Sequence, residues 1–244
     1  MKKKIAIWSI VILMLVVYYG TISFVKYRQD NIDLEKEYII SSYVTDDMRE
    51  NSNRMLNYLC LEDELTPEKI GNDADCIILA KVISLDDVEN EGYLFGMTFG
   101  KMLVNTVISG NLKQGQVINY AKPGGIMSYS EWEETQPEEA NSKRKYLREQ
   151  SGIEIDLNST YIDLLAEGDI EIEAGKTYLV YLKYMKSTQS YEIIGLGNGL
   201  REVDMPRQSK TVKVENLDVN SLSIKNNKTG ENESLKKYMD EHID

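Results

Sequence analysis

CIILAKVIS, residues Cys76–Ser84, decides the fold, because this apolar, β-branched run is typical of a strand. LFGMTFGKMLVNTVIS, Leu94–Ser109, follows as a longer strand, in which Gly96 and Gly100 predict a bulge or a sharp bend. A glycine-bounded turn then leads to QVINYA, Gln116–Ala121, which ends before a Pro-Gly-Gly sequence. Three strands are therefore expected in close succession.

Two further strands are predicted later in the chain, at Lys176–Met185 and Ser190–Leu196, with a polar turn between them. The segment between the early and late strands, about residues 127–168, is charged and helix-forming after Pro137, as an insertion would be. The chain is thus expected to be mainly β with helical additions. An OB-like five-stranded barrel with a helical insertion is the natural architecture at this size.

The regions on either side of the barrel are predicted from weaker patterns. Residues 29–65 are expected to be a stalk or a packed helix, with helix most evident over Thr45–Leu59. The barrel domain is expected over residues 66–210, and Thr66-Pro67 has the residue types that begin a helix. Residues 211–244 form a tail with a strand or hairpin over residues 212–227 and a helix at Ser234–Glu241.

The N-terminus contains a candidate membrane anchor. Residues 5–25 are 21 residues without a charge, and a helix of that length spans roughly 30 Å, close to the hydrocarbon thickness of a bilayer. Lys2, Lys3 and Lys4 precede it, which favours a cytoplasmic N-terminus. Residues 1–28 are therefore interpreted as a transmembrane anchor that places the C-terminal domain outside the cytoplasm, at the cell membrane.

A cleaved signal peptide is the alternative. Its apolar region is usually about 7–15 residues and ends at small residues, whereas this run is longer. Thr21 and Ser23 are the small residues that a signal peptidase would meet. Both interpretations place the remainder of the chain outside.

The external part is strongly acidic. All 40 Asp and Glu follow Gln29, against 23 of the 28 Lys and Arg, which gives this part a formal charge of −17. Nucleic-acid binding needs clustered cations, so a nucleic-acid partner is not expected.

The only cysteines are Cys60 and Cys76. In an oxidising space one disulfide between them would stabilise the fold by about 3 kcal/mol. Two buried thiols are the other interpretation, since Cys76 begins an apolar run.

The order of these patterns resembles the netrin-like modules, the OB-fold family that includes tissue inhibitors of metalloproteases. The similarity covers residues 66–126 and 170–204, from Ala74-Asp75 and its apolar strand to Gly175 and the strand that follows. The same succession is similar to surface domains of Gram-positive bacteria without assigned function. The inhibitors present an N-terminal cysteine to the catalytic metal, whereas this chain has an apolar segment there. The resemblance therefore implies the fold and not inhibition.

No catalytic, cofactor or metal site is predicted from the sequence. His242, the only histidine, lies near the end of the chain, where residues are usually mobile. Carboxylates are dense over Asp163–Glu173, but the spacing of an EF-hand calcium loop is absent.

Aromatic residues give the main binding hypothesis. Of 16 tyrosines, Tyr178, Tyr184 and Tyr191 cluster on the late strand pair, where they would stack on sugars or peptides or pack in the core. The chain is therefore expected to be a membrane-anchored, extracytoplasmic binding or interaction module without catalytic activity, with a surface protein or a cell-wall component as partner. The alternative is an extracellular enzyme or protease-inhibitor-like protein whose site the sequence does not reveal.

Overall fold

The apolar run that begins at Cys76 forms a 14-residue strand in a computed structural model that describes residues 36–54, 65–89, 96–152, 154–166, 168–205 and 211–243. The strands are, in chain order, β1 (Tyr38–Ile39), β2 (Ser41–Ser42), β3 (Ser52–Arg54), β4 (Cys76–Glu89), β5 (Met97–Ser109), β6 (Val117–Pro123), β7 (Ile126–Ser128), β8 (Tyr161–Asp163), β9 (Thr177–Met185), β10 (Ser190–Ile193), β11 (Leu200–Glu202), β12 (Thr211–Val212), β13 (Ser223–Lys225) and β14 (Asn232–Ser234). The helices are α1 (Asp46–Glu50), α2 (Pro67–Asp73), α3 (Tyr129–Glu134), α4 (Glu138–Ser151), α5 (Leu196–Gly199) and α6 (Leu235–His242).

Five strands close into a ring. β4 pairs antiparallel with β5 on one side and with β9 on the other. β5 continues to β6, β6 pairs parallel with β10, and β10 returns to β9. The chain is mainly β with helices, as predicted, and the five predicted strand regions supply the ring.

β4 is apolar along both faces because both are covered. Ile78, Ala80 and Val82 point into the ring and pack in its core with residues of β5, β6 and β9. Ile77 and Leu79 point outward and pack under the C-terminal tail, where Leu235 and Tyr238 of α6 complete a second cluster. A strand buried on both faces reads as a continuous hydrophobic run, which is the pattern that the sequence shows.

Two predicted helix starts are confirmed by their caps. The side chain of Thr66 accepts a hydrogen bond from the backbone N–H of Lys69 at the start of α2, and Ser234 caps α6 in the same way. Each cap satisfies a backbone donor that has no partner within the helix.

The helix predicted over Thr45–Leu59 is wrong in its length. α1 ends at Glu50, and β3 begins two residues later and pairs parallel with β8. Hydrogen bonding to β8 replaces the helical pattern there, and residues 55–64 lie outside the described residues.

The predicted insertion contains two helices between β7 and β8. Ser128 and Glu131 form a capping box at the start of α3, and α4 ends at Gly152, whose φ of 65° is left-handed. β7 and β8 pair antiparallel beneath the helices. The insertion is therefore an ordered part of the fold with its own apolar cluster around Trp132.

In the C-terminal tail the predicted strand is present as β13, but the predicted hairpin over residues 212–227 is not. β13 pairs with β14, and not with residues 212–219. Asp218 accepts a hydrogen bond from the backbone N–H of Asn220, so a turn interrupts the run that predicted that hairpin.

Residues 37–54, within the predicted stalk or packed helix, pack against the rest of the domain, with Val44 buried at 7% exposure. The predicted anchor, residues 5–25, lies outside the described residues. Within the part of the chain that the structure describes, no helix has the length and apolarity needed to cross a membrane.

Candidate binding site

Two of the three candidate stacking residues meet where β4 begins. Tyr184 of β9 and Tyr191 of β10 are cross-strand partners, and their ring centroids lie 5.1 Å apart with the planes tilted by 59°. Tyr184 is 42% exposed, whereas Tyr191 is partly buried against the ring core. The pair therefore presents one tyrosine to solvent and supports it with the other.

Tyr178 lies apart from this pair, inside the ring. It is 1% exposed, and its hydroxyl accepts a hydrogen bond of 3.0 Å from the backbone N–H of Glu173. Burial raises the pKa of Tyr178 well above the usual range. The closed ring makes Tyr178 a core residue, out of reach of a ligand.

Asp75 fixes the backbone beneath Tyr184. The residue immediately precedes β4, and its carboxylate accepts a 2.8 Å hydrogen bond from the backbone N–H of Tyr184. Its own backbone N–H donates to the carbonyl of Leu182. The pairing between β4 and β9 thus extends beyond Cys76 to Asp75. Lys183, next to Tyr184, adds an ion pair with Asp73.

Glu192 lies on β10 between Tyr191 and Ile193 and opposite Lys183 of β9. Its partial burial raises the pKa of its carboxyl, an effect that the charge of Lys183 reduces. A partly desolvated carboxylate therefore adjoins the aromatic pair along the strand.

Cys76 and Gly110 complete this end of the ring. Cys76 is buried at 4% exposure and has no disulfide partner among the described residues. A Cβ atom on Gly110, whose φ is +99°, would lie 2.5 Å from the carbonyl oxygen of Asp75 and 2.6 Å from the Cys76 Sγ. Cys60 lies outside the described residues, so the disulfide stays a prediction. Asp75, Cys76, Gly110, Tyr184 and Tyr191 are called the tyrosine end below.

A different set of residues surrounds the ring farther along β4, near Leu85. Four carboxylates of the stretch Asp163–Glu173 each pair with a cation. The pairs are Arg54–Asp163 at 2.9 Å, Lys122–Asp169 at 2.7 Å, Arg49–Glu171 at 2.6 Å and Lys176–Glu173 at 2.6 Å. These eight residues are called the charged end. The dense carboxylates are therefore neutralised one by one, by cations distant in sequence in three of the four pairs.

The Lys122–Asp169 pair is the most deeply buried of these. The two side chains are 3% and 1% exposed, and the ammonium of Lys122 also donates to the carbonyl of Pro123. Gly125 follows at a φ of +156°, where a Cβ atom would lie 2.3 Å from the Thr98 hydroxyl. The Pro-Gly-Gly sequence thus lets the chain lie closely over Thr98 beside the buried pair.

A cavity at the charged end is very small. It holds about 10 Å³ and is lined by Tyr43, Thr98, Lys122, Asp163 and Glu171 among others. That volume is close to the minimum for one water, so an organic ligand does not fit. Burial raises the pKa of Tyr43 to about 12, which keeps the phenol neutral. We interpret the part of the charged end around the Lys122–Asp169 pair as structural; Arg49, Glu173 and Lys176 line a separate, open cleft of about 350 Å³.

The insertion presents a third surface, which the sequence pattern did not single out. Arg144 lies over the ring of Trp132 at 4.6 Å, and Arg148 lies over Tyr129 at 5.6 Å and pairs with Glu133 at 2.8 Å. α4 buries no residue of its own. The signal in the sequence was KRKYLR, residues 143–148, in which two apolar residues follow three successive cations.

His242 has a structural contact. Its Nδ1 bonds the carboxylate of Glu68, which joins α6 to α2, and this hydrogen bond holds the pKa of Glu68 below its usual value. Among the residues that the structure describes, no group of three or more His, Cys, Asp or Glu is arranged to hold a metal ion.

The chain matches no protein-family model and no curated protein.

Proposed function

We propose that this chain is a membrane-anchored, extracytoplasmic binding module without catalytic activity, and that the tyrosine end is its binding site. The exposed ring of Tyr184 carries the proposal, because β9, Tyr191 and Asp75 hold it in one position before a ligand arrives. Preorganisation of this kind lowers the entropic cost of binding.

The ligand class follows from the chemistry of the tyrosine end. A tyrosine offers a flat apolar ring together with a polar hydroxyl, which suits the faces of sugar rings and the side chains of extended peptides. Glu192 and Lys183 are the next cross-strand pair, with their side chains on the opposite face of the strands, so the ligand meets the tyrosines and not these charges. We therefore propose a cell-wall component or an exposed segment of a surface protein as the ligand.

We further propose that the ring is an OB-like barrel of the netrin-like kind. Support comes from the closure of five strands and from the resemblance over residues 66–126 and 170–204, which contains all five strands of the ring. An OB-fold is a five-stranded Greek-key barrel that commonly binds sugars and nucleic acids on its surface. The external charge of −17 disfavours nucleic acid.

The binding proposal is tested by retention of purified full-length chain, in mild detergent, on purified cell walls and on immobilised secreted and membrane proteins. Tyr184→Ala should lower retention about tenfold, the effect of removing an aromatic side chain central to an interface. Ile39→Ala, which removes an exposed apolar side chain outside the tyrosine end and the insertion, is the control. Equal retention of both variants would remove the tyrosine end as the site.

The anchor proposal is tested separately by adding protease to intact cells. Residues 29–244 should be digested while a cytoplasmic protein survives. Release of the domain into the medium would favour the cleaved signal peptide, and protection of the domain would contradict its external location.

A further inference from the structure

The outer side of α4 differs from the outer side of an ordinary surface helix. Arg144 and Arg148 lie four residues apart and therefore share the side that faces Trp132, Tyr129 and Glu133. At 3.6 residues per turn, Tyr146 lies on roughly the opposite side, and Leu147 lies about 100° round the helix from Tyr146, on one flank. The arginine contacts therefore fix which side of the helix faces solvent.

That outer side is apolar at its middle. Tyr146 is 59% exposed and Leu147 is 54% exposed, and Ile155 follows just beyond the helix at 39%. Three of the five large apolar side chains that are well exposed in the described chain thus lie within ten residues of sequence. Single exposed apolar residues are normal, whereas a cluster of them marks an interaction surface.

The charges around the apolar residues restrict the partner. The whole chain has a net charge of −12, so two copies repel each other over most of their surfaces. α4 is nearly balanced instead, with four cations and three acids. A contact between copies is therefore least opposed at this helix.

Lys145 and Glu149 give the helix a pattern that matches a second copy of itself. They lie four residues apart, on the flank of Tyr146 opposite to Leu147, and both are exposed. Within the described residues, neither makes an ion pair. If two such helices run antiparallel, Lys145 of each meets Glu149 of the other, and the symmetry forms the ion pair twice.

We propose that α4 joins two copies of this chain as an antiparallel helix pair, with Tyr146 at the centre of the contact. Leu147 of the two copies lies along one edge of that contact, and the two Lys145–Glu149 pairs lie along the other edge and set the register. An anionic membrane suits this surface less well, because Glu138, Glu139, Glu149 and Glu154 would face the same charge. A second copy of α4 instead offers a glutamate to Lys145 and a lysine to Glu149.

The test uses full-length chain carrying either of two tags, purified in mild detergent, with association measured by sedimentation and by co-purification of the tags. Lys145→Glu and Glu149→Lys should each weaken self-association roughly tenfold, because two attractive pairs become two repulsive ones. When the two variants are mixed, both carboxylates of the first variant meet ammonium groups of the second, and heterodimers should form at wild-type strength or above. Combining both substitutions in one chain should restore self-association.

Lys228→Glu, at an exposed lysine outside the insertion, is the control and should leave association unchanged. Tyr146→Ala should abolish association while the unfolding temperature remains that of wild type. A monomeric wild-type chain at every concentration would overturn the proposal. Association that ignores all of these variants would also overturn it, since contacts through residues 5–25 would behave in that way. A variant that no longer self-associates should still bind the ligand through Tyr184. Failure of the self-association proposal is thereby distinguished from failure of the binding proposal.

Discussion

The tyrosine end and the charged end use their polar groups differently. At the charged end the four described carboxylates of residues 163–173 each have a cation against them, and the cavity beside the buried Lys122–Asp169 pair is about 10 Å³. At the tyrosine end the polar groups hold the backbone of β9, and the side chain of Tyr184 is left facing solvent. Charge density is therefore a poor guide to a binding site in this chain. Carboxylates and cations that already pair with each other have few hydrogen-bonding positions free for a ligand.

The largest expected effect concerns the buried pair at the charged end. Asp169→Ala leaves the ammonium of Lys122 buried without its partner, which should destabilise the fold by about 3–5 kcal/mol. Urea unfolding of the full chain measures this loss. The double variant Lys122→Met with Asp169→Leu should lose much less, because no buried charge remains. If the single variant is as stable as wild type, the charged end is not what closes this part of the ring.

The second effect lies at the tyrosine end. Gly110→Ala should destabilise by about 3 kcal/mol, because a left-handed φ of +99° is combined with a Cβ position 2.5 Å from a backbone carbonyl oxygen. Gly152→Ala is the matched control, since Gly152 has a φ of +65° and nothing within 4 Å of the added Cβ. Only the conformational cost of about 1 kcal/mol is expected there. Equal losses would show that Asp75 and Cys76 move aside freely.

A smaller effect separates positioning from binding. Asp75→Ala removes the acceptor of the Tyr184 backbone N–H and should cost about 1 kcal/mol of stability. It should also weaken ligand retention, although Asp75 itself is not proposed to touch the ligand. Asp75→Asn keeps an oxygen acceptor and should restore both properties. Unchanged retention by Asp75→Ala would mean that Tyr184 needs no such support.

The smallest effect depends on pH. Burial raises the pKa of Glu192 in the folded state, so the folded protein favours the protonated form and loses stability as pH rises through that pKa. Glu192→Gln should therefore raise the unfolding temperature slightly at pH 7, and the gain should disappear below about pH 4, where the unfolded carboxyl is also protonated. Glu231→Gln, at an exposed residue outside the helices, should change nothing at either pH. If Glu192→Gln raises the unfolding temperature more at low pH than at pH 7, the prediction is wrong.

The ring could be predicted from the sequence because its strands are locally encoded. Cys76–Ser84 is apolar at every position but two, and the structure buries it on both faces. The helix caps at Thr66 and Ser234 are local in the same sense, since a side chain bonds a backbone group three residues away. Such features need no knowledge of distant contacts.

The features that the sequence did not predict depend on pairing between distant residues. β3 replaces the end of a predicted helix because β8, more than a hundred residues later, supplies its hydrogen-bond partners. Asp169 meets Lys122 and Asp163 meets Arg54 across long separations in sequence. The periodicity of β9 places Tyr178 and Tyr184 on one face, but only the closure of the ring makes the first a core residue and the second an exposed one.

Retention on the ligand fraction is measured side by side for Tyr184→Ala and Lys176→Ala, which tests the contrast between the two ends most directly. Lys176 belongs to the charged end, and its partners Glu173 and Glu202 are 30% and 32% exposed, so its removal leaves no buried carboxylate without a cation. We predict that Tyr184→Ala loses about tenfold in retention and that Lys176→Ala stays within about twofold of wild type. Loss of retention in Lys176→Ala with full retention in Tyr184→Ala would contradict the account.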